Sequence, residues 1–299
     1  MFCEEIPLRQ GGALCAYVMD PQTSFHVYKE RPALIICPGG AYLIHAVKEG
    51  EPIALTFLQK GYNCFVLRYT VATDRENPAA GVNEAARYPL QALQLLEAIH
   101  TVRQHAQAWH IDPDRIFLAG FSAGAHVCAT AGTRWNDPAL TGQLPFAAAA
   151  QQLRPSGMVL GYPMLALNEA DFFQRHPIDP AQLALVNRVL TGSEDPTPAQ
   201  CEAVDLTRFV SQDTVPAFLW HSIDDPVVDC RVTLRFVQRM LACGRPCELH
   251  LFDHGGHGMG LADTLSAQRP ADVDEALRQW VPLAQAFLNR IHPEQGDRT

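Results

Sequence analysis

In "RIFLAGFSAGAHV" (residues 115–127) one serine, Ser122, stands between Gly120 and Gly124, after an apolar run and before a run of small residues. The five-residue pattern G-x-S-x-G is weak by itself. With glycine and serine each near 7% of residues, it arises by chance in roughly one chain of this length in ten. The flanks make it informative. "RIFLAG" reads as a buried strand and 123–133 as a buried helix, so Ser122 falls on a sharp strand-to-helix turn. Residues beside such a turn must be small for strand and helix to approach, and the two glycines meet that need. The helix start beneath the serine offers unpaired N–H groups and a positive dipole end, both favourable to a developing oxyanion.

The rest of the chain repeats the strand-then-helix rhythm. "PALIICPGG", "YNCFVLRY", "SGMVLGYP", "VPAFLWH" and "CELHLF" are short apolar runs stopped by glycine, proline or polar residues, and each reads as a core strand. Over 85–108, Leu90, Leu93, Leu96, Ile99 and Val102 recur at helical spacing, with Pro89 tolerable near the start. "IDPDR" reads as a turn. Residues 229–243 read as a helix closed by Gly244 and Pro246, and 273–291 as a final helix with Trp280, Val281, Ala284, Phe287 and Leu288 near one face. This alternation predicts the α/β class: a mostly parallel central sheet with helices on both faces, in a single domain over 1–299. Residues 165–213 interrupt it. They are rich in Asp, Glu, Gln and Pro, with short helical patches such as "PAQLALVNRVL", and read as a cap or lid-like insertion, the alternative being a surface excursion without a role. The tail 292–299 is expected to fray.

Composition narrows the function classes. The chain has 299 residues, 47% hydrophobic and 18% charged, with a formal net charge of −9 and a pI of about 5.7. An acidic surface argues against nucleic acid or an anionic membrane as partner. No apolar stretch is long enough for a bilayer span. "MFCEEIPLRQ" has early acids and no apolar core of a leader, so a cytoplasmic location is expected. The nine cysteines at scattered spacing read as reduced thiols. The histidines show no metal-ligand spacing, so neither metal nor cofactor is expected. The oligomeric state stays open, a homo-oligomer included.

A serine nucleophile needs a base, and the base needs an orienting acid. Of the twelve histidines, His257 in "HLFDHGGHGMG" follows a strand and lies in a glycine-rich loop. "FLWHSIDDPVVD" places Asp224 and Asp225 just after another strand, at the sheet end where ligands gather in open α/β sheets. "CPGGAY" follows the strand "ALII", and its glycines free backbone N–H groups to face a tetrahedral oxygen. The candidate donors are the N–H groups of Gly40, Ala41 and Ala123; whether Gly40 or Ala41 points inward stays open.

These elements, in the order Ser122, Asp225, His257, resemble the α/β hydrolase superfamily. The nearest likeness is to acetyl-xylan-esterase-like and carboxylesterase-like enzymes, the xylanase-associated esterases. The resemblance covers almost the whole chain, through "CPGGAYLIHAVKEGEPIALTFLQKGYNCFVLRY", "RQHAQAWHIDPDRIFLAGFSAGAHV", "VPAFLWHSIDDPVVDCRVTLRFVQRML" and "CELHLFDHGGHGMGL". It implies an α/β-hydrolase fold and a triad of Ser122, Asp225 and His257. The family commonly has a third glycine where Ala41 stands, a glycine where Ala125 stands, and an Asp near Ala92; none of these departures removes a triad member.

The resemblance further implies a serine esterase acting through an acyl-enzyme on small ester substrates, the acyl group short, such as acetyl, and the alcohol a carbohydrate, for example an acetylated oligosaccharide. Tyr42 and His45, beside the oxyanion loop, are candidate substrate contacts, Tyr42 reading equally as a plain packing residue. His254 is the rival base and Asp224 the rival acid, Asp224 otherwise supporting the turn or facing solvent. His126, one helical turn after Ser122, reads as a packing or hydrogen-bonding residue beneath the turn, and His221 as a structural residue at a strand end. Two other readings remain: a peptidase or amidase using the same triad, and a catalytically silent hydrolase-fold binding protein. A peptidase of this fold usually carries an extra domain for which this chain has no room, and an intact triad argues against the silent protein.

Overall fold

The computed structural model describes residues 1–19, 30–74, 77, 79, 81–168, 172, 176 and 178–292. Eight strands form one sheet: β1 (Phe2–Pro7), β2 (Ala13–Val18), β3 (Arg31–Cys37), β4 (Asn63–Arg68), β5 (Ile111–Phe121), β6 (Gly157–Gly161), β7 (Ala217–Ser222) and β8 (Cys247–Phe252). Their spatial order is β1-β2-β4-β3-β5-β6-β7-β8. From β4 to β8 every neighbouring pair is parallel, while β2 runs antiparallel to both β1 and β4. The mostly parallel sheet is as expected. The N-terminal hairpin is not legible in the sequence, because β1 is an exposed edge strand with no apolar alternation.

The central strands are apolar throughout because both faces are covered. On β3, Ala33, Ile35 and Cys37 face one core, while Leu34 and Ile36 face the other. On β7, Ala217 and Leu219 oppose Phe218 and Trp220 in the same way. The helices divide accordingly. α1 (Glu51–Gln59) packs on the second face, and α2 (Leu90–Gln104) and α3 (Ala123–Arg134) pack on the first. α4 (Pro180–Thr191) and α5 (Cys230–Ala242) join the first core, and α6 (Trp280–Ile291) closes the second.

Element boundaries depart from the periodicity where local chemistry intervenes. α2 starts at Leu90, not 85, because Pro89 holds the N-cap position and the residue before a proline resists helical geometry. α6 starts at Trp280, not 273, behind a short turn in which Asp274 Oδ1 accepts the Ala276 and Leu277 N–H groups, each at 2.9 Å. "IDPDR" is not a turn ahead of a strand but an irregularity inside β5: Ile111 pairs with Arg31, and pairing resumes at Ile116 with Ala33.

The described part of 165–213 packs on the first core; residues 169–171, 173–175 and 177 of the expected insertion lie outside the described residues. Leu165, Val186, Val189, Leu190, Val204 and Leu206 are buried in the first core. Asp179 caps α4 at its start, and Gly192, with φ +79°, ends it. Residues 293–299 of the expected frayed tail lie outside the described residues. Among the described residues no helix is long and apolar enough to cross a membrane.

Candidate active site

Ser122 stands between β5 and α3 with φ +51° and ψ −118°. A non-glycine residue held in this region costs about 1–3 kcal/mol, and the surroundings enforce it. The Ser122 N–H donates to the Gly161 carbonyl at 3.0 Å, and its own carbonyl accepts from the N–H groups of Ala125 (3.1 Å), Met164 (3.2 Å) and His126 (3.3 Å). Both flanking glycines are required by contact. A Cβ on Gly120 would stand 2.5 Å from the Gly124 carbonyl oxygen. A Cβ on Gly124 would stand 2.0 Å from the Cys37 carbonyl oxygen and 2.5 Å from that of Pro38. Gly120 thus lets α3 meet β5, and Gly124 lets α3 meet the end of β3.

The three loops after β5, β7 and β8 bring Ser122, Asp225 and His257 together. His257 Nε2 lies 2.9 Å from Ser122 Oγ, and His257 Nδ1 lies 2.7 Å from Asp225 Oδ2. A carboxylate only accepts, so Nδ1 carries the proton and Nε2 accepts from the serine hydroxyl. Asp225 is 3% exposed. Its Oδ1 accepts from the N–H groups of Val227 (2.8 Å) and Val228 (2.9 Å), and its Oδ2 also lies 3.0 Å from His221 Nε2. Burial pushes this carboxyl up, but the hydrogen bonds from His221 and His257 outweigh burial and hold it well below the usual carboxylate range. Such a chain can take a proton from a hydroxyl and stabilise the imidazolium that results.

The loop after β3 is a tight turn. The Gly39 carbonyl accepts from Ala46 N–H at 2.9 Å, and the Gly40 carbonyl accepts from the N–H groups of Leu43 (2.9 Å) and Ile44 (3.1 Å). In a trans peptide the N–H points opposite to its carbonyl, so the Gly40 and Ala41 N–H groups face away from these bonds. Neither donates to an acceptor among the described residues. Ala123 is the first residue of α3, so no preceding helical turn accepts its N–H. Gly40 has φ +120°, and a Cβ there would stand 2.1 Å from the Ile44 carbonyl oxygen. Ala41 and Tyr42 follow at φ +58° and +64°. Ala41 therefore occupies a left-handed position where glycine is the relaxed choice.

Two of the expected substrate contacts are displaced. Tyr42 is fully buried, with its hydroxyl 2.7 Å from His126 Nδ1, so it is a packing residue and not a surface of the site. His45 lines a cavity of about 920 Å³ with Pro38, Ile44, Tyr69 and Thr73, but neither Ser122 nor His257 lines that cavity. The other histidines sort as the sequence suggests. His126 Nε2 donates to the Val204 carbonyl at 2.9 Å, and burial pushes its ring down to about 4. The exposed ring of His254 pairs with Asp253 and Asp274 rather than with Ser122. Asp224 supports the turn, accepting from Gly256 N–H at 2.8 Å and Gly255 N–H at 3.3 Å.

A match to the BD-FAE family runs over residues 19–240, which include Ser122 and Asp225 and end before His257. The chain belongs to the BD-FAE family. Its BD-FAE sequence is 27% identical over 234 residues to endo-1,4-beta-xylanase B of Butyrivibrio fibrisolvens, an alignment covering 78% of this chain and 33% of the relative. The chain spans 33% to 59% of the lengths of the curated relatives it matches. Among solved structures, it resembles the carboxylesterase Cest-2923 from Lactobacillus plantarum WCFS1, with TM-score 0.78, 27% identity and coverage of 97% of this chain and 98% of the other. It also resembles an acetyl ester-xyloside bifunctional hydrolase from Caldicellulosiruptor lactoaceticus, with TM-score 0.72, 29% identity and 96% of both chains covered. The BD-FAE chain thus has the α/β-hydrolase fold expected of it.

Two buried groups bear on the site beyond what the sequence suggests: His221, read there only as a structural residue at a strand end, and Glu49, which it does not single out. His221 bonds Asp225 through Nε2, while its Nδ1 lies 2.8 Å from Thr233 Oγ1. Glu49, 2% exposed, accepts from Gly39 N–H at 2.7 Å and from the Tyr162 hydroxyl at 2.7 Å. Burial pushes its carboxyl above the ordinary value, and the bonds from Tyr162 and Gly39 offset only part of that. The available signal was a polar residue inside an apolar strand for His221, and an acid ten positions after Gly39 for Glu49. Neither is distinctive without the partner.

Proposed function

We propose that the protein is a serine carboxylic ester hydrolase in which Ser122, His257 and Asp225 form the catalytic triad. The observation that carries this reading is the unbroken chain from Ser122 Oγ through His257 to Asp225, at 2.9 and 2.7 Å. Ser122 Oγ attacks the ester carbonyl carbon while His257 Nε2 takes its proton. Asp225 holds the imidazole by Nδ1–H and stabilises the imidazolium. The oxyanion is received by the N–H groups of Gly40, Ala41 and Ala123, each donor of this kind contributing about 100- to 1,000-fold in rate. Collapse of the tetrahedral intermediate expels the alcohol with the proton from His257. Water, activated by the same histidine, then hydrolyses the acyl-enzyme.

The substrates are short-chain esters, acetyl esters of small carbohydrates foremost. The names of the relatives, a xylanase and an acetyl ester-xyloside hydrolase, support that choice. At the start of the insertion, the Asn168 side-chain amide donates to the Val227 carbonyl at 2.8 Å, two residues after Asp225.

A fluorophosphonate probe and a substrate panel test the proposal. Wild type is labelled, Ser122→Ala is not, and activity falls at least about 10⁴-fold in the variant. Among p-nitrophenyl acetate, butyrate and octanoate, the acetate has the highest kcat/KM, and acetylated xylo-oligosaccharides are deacetylated. Unlabelled, folded wild type refutes the serine mechanism; preference for an aminoacyl anilide refutes the esterase.

A further inference from the structure

We infer that Glu49 is a positioning residue for the reaction proposed above, on which this inference rests: its buried carboxylate fixes the loop that presents the oxyanion donors and, through Tyr162, the loop that carries His257. The geometry is a bridge. Glu49 Oε2 holds Gly39 N–H, and Gly39 is wedged against the serine turn, where a Cβ would stand 2.7 Å from the Phe121 carbonyl oxygen and 2.9 Å from Ser122 Cβ. With its carbonyl bonded to Ala46, Gly39 is fixed on both sides, and the next N–H in the chain is the Gly40 donor. Glu49 Oε1 holds the Tyr162 hydroxyl, which in turn accepts from Gly260 N–H at 3.0 Å. The Tyr162 ring also packs edge-on against the His257 ring, with centroids 5.0 Å apart. One carboxylate therefore ties together the loops after β3 and β8, which are more than 200 residues apart.

Packing alone does not call for an acid here. Burying a carboxylate costs several kcal/mol unless donors and charge compensate it. Its two oxygens are occupied by a backbone N–H and a phenol, both neutral. The nearby Lys48 ammonium pairs with Asp272 at 3.9 Å. A Cβ on Gly258, the residue after His257, would stand 3.9 Å from both Glu49 Oε1 and Lys48 Nζ, so the carboxylate and this ammonium both lie next to the His257 loop. Beside the standing Lys48 ammonium, a new positive charge arises on this side of Glu49 when His257 becomes the imidazolium in the transition state. Glu49 thus acts on two features needed only during bond making: the aim of the oxyanion donors and the charge on the base. Interactions of this kind change kcat and leave KM.

The test compares Glu49→Ala, Glu49→Gln and Tyr162→Phe with wild type on p-nitrophenyl acetate, each normalised to active sites titrated with a fluorophosphonate. Expected are a kcat loss of about 30- to 300-fold for Glu49→Ala and about 3- to 10-fold for Tyr162→Phe, with KM within about threefold. Glu49→Gln keeps an acceptor for Gly39 N–H but loses the charge, and recovers most of the Ala loss while staying about 3- to 10-fold below wild type. An arylboronic acid, which forms a tetrahedral adduct on the serine, weakens in parallel with kcat. Variants with wild-type kcat, or with KM raised and kcat retained, overturn the inference. If Glu49→Ala does not fold, a Gln variant equal to wild type overturns it too. Wild type that is neither labelled nor active would instead defeat the parent proposal, so the two failures are distinct.

Discussion

Ser122, Asp225 and His257 are each held by more than one contact, and at the level of single residues their neutral neighbours matter as much. His126 bridges the Tyr42 hydroxyl and the Val204 carbonyl with both ring nitrogens, and burial pushes its ring down to about 4 from an ordinary value of 6.5. The sign follows from linkage. Between these values the unfolded chain binds a proton that the folded ring refuses, so stability falls as pH drops from about 6.5 to about 4. The slope reaches about 1.4 kcal/mol per pH unit for each such histidine. Urea unfolding across pH 7 to 4 should therefore be flatter by about that slope in His126→Gln than in wild type, and identical slopes would refute a buried neutral His126. Ser122, Asp225 and His257 were legible because each lies just past an apolar strand in a loop marked by glycine or proline. Tyr42 reads in the sequence equally as a pocket or a packing residue, because the sequence does not say where a Cβ points, and the structure buries it.

Among the elements, the contact between α3 and the end of β3 is the tightest constraint on the site. Gly124 has no room for even a methyl group, because two consecutive backbone carbonyls from the β3 loop face it. Backbone cannot yield as a side-chain tip can, so Gly124→Ala must push α3 away from the loop that bears Gly40 and Ala41. The expected result is a loss of about 2–4 kcal/mol of stability, together with a fall in esterase turnover, measured by denaturant melts and p-nitrophenyl acetate hydrolysis on the same samples. Unchanged stability would mean that α3 shifts freely. The strands were readable as apolar runs because burial on both faces removes any alternation. The N-terminal hairpin was not: β1 reads "FCEEIP" and is held at an edge by pairing with β2, which leaves no hydrophobic signature.

For the molecule as a whole, the site draws on loops after β3, β5, β7 and β8, and its defining contact, His257 to Ser122, joins residues 135 positions apart. β8 is the outermost strand on its side of the sheet. The loop beyond it is fastened by the Tyr162 hydroxyl and by Trp280 of α6, whose indole N–H donates to the Gly260 carbonyl at 3.0 Å. Contacts of such long sequence separation carry the larger loop-closure cost, so they are expected to form late. The expected order of assembly is therefore that the Ser122 turn forms before the His257 loop docks on it. After dilution from denaturant, recovery of fluorophosphonate labelling should lag recovery of helical circular dichroism and coincide with the burial of Trp280, read as the fluorescence difference between wild type and Trp280→Phe. Labelling that precedes Trp280 burial would contradict this order of assembly. If that order holds, activity in a refolding chain times the docking of its last strand and helix.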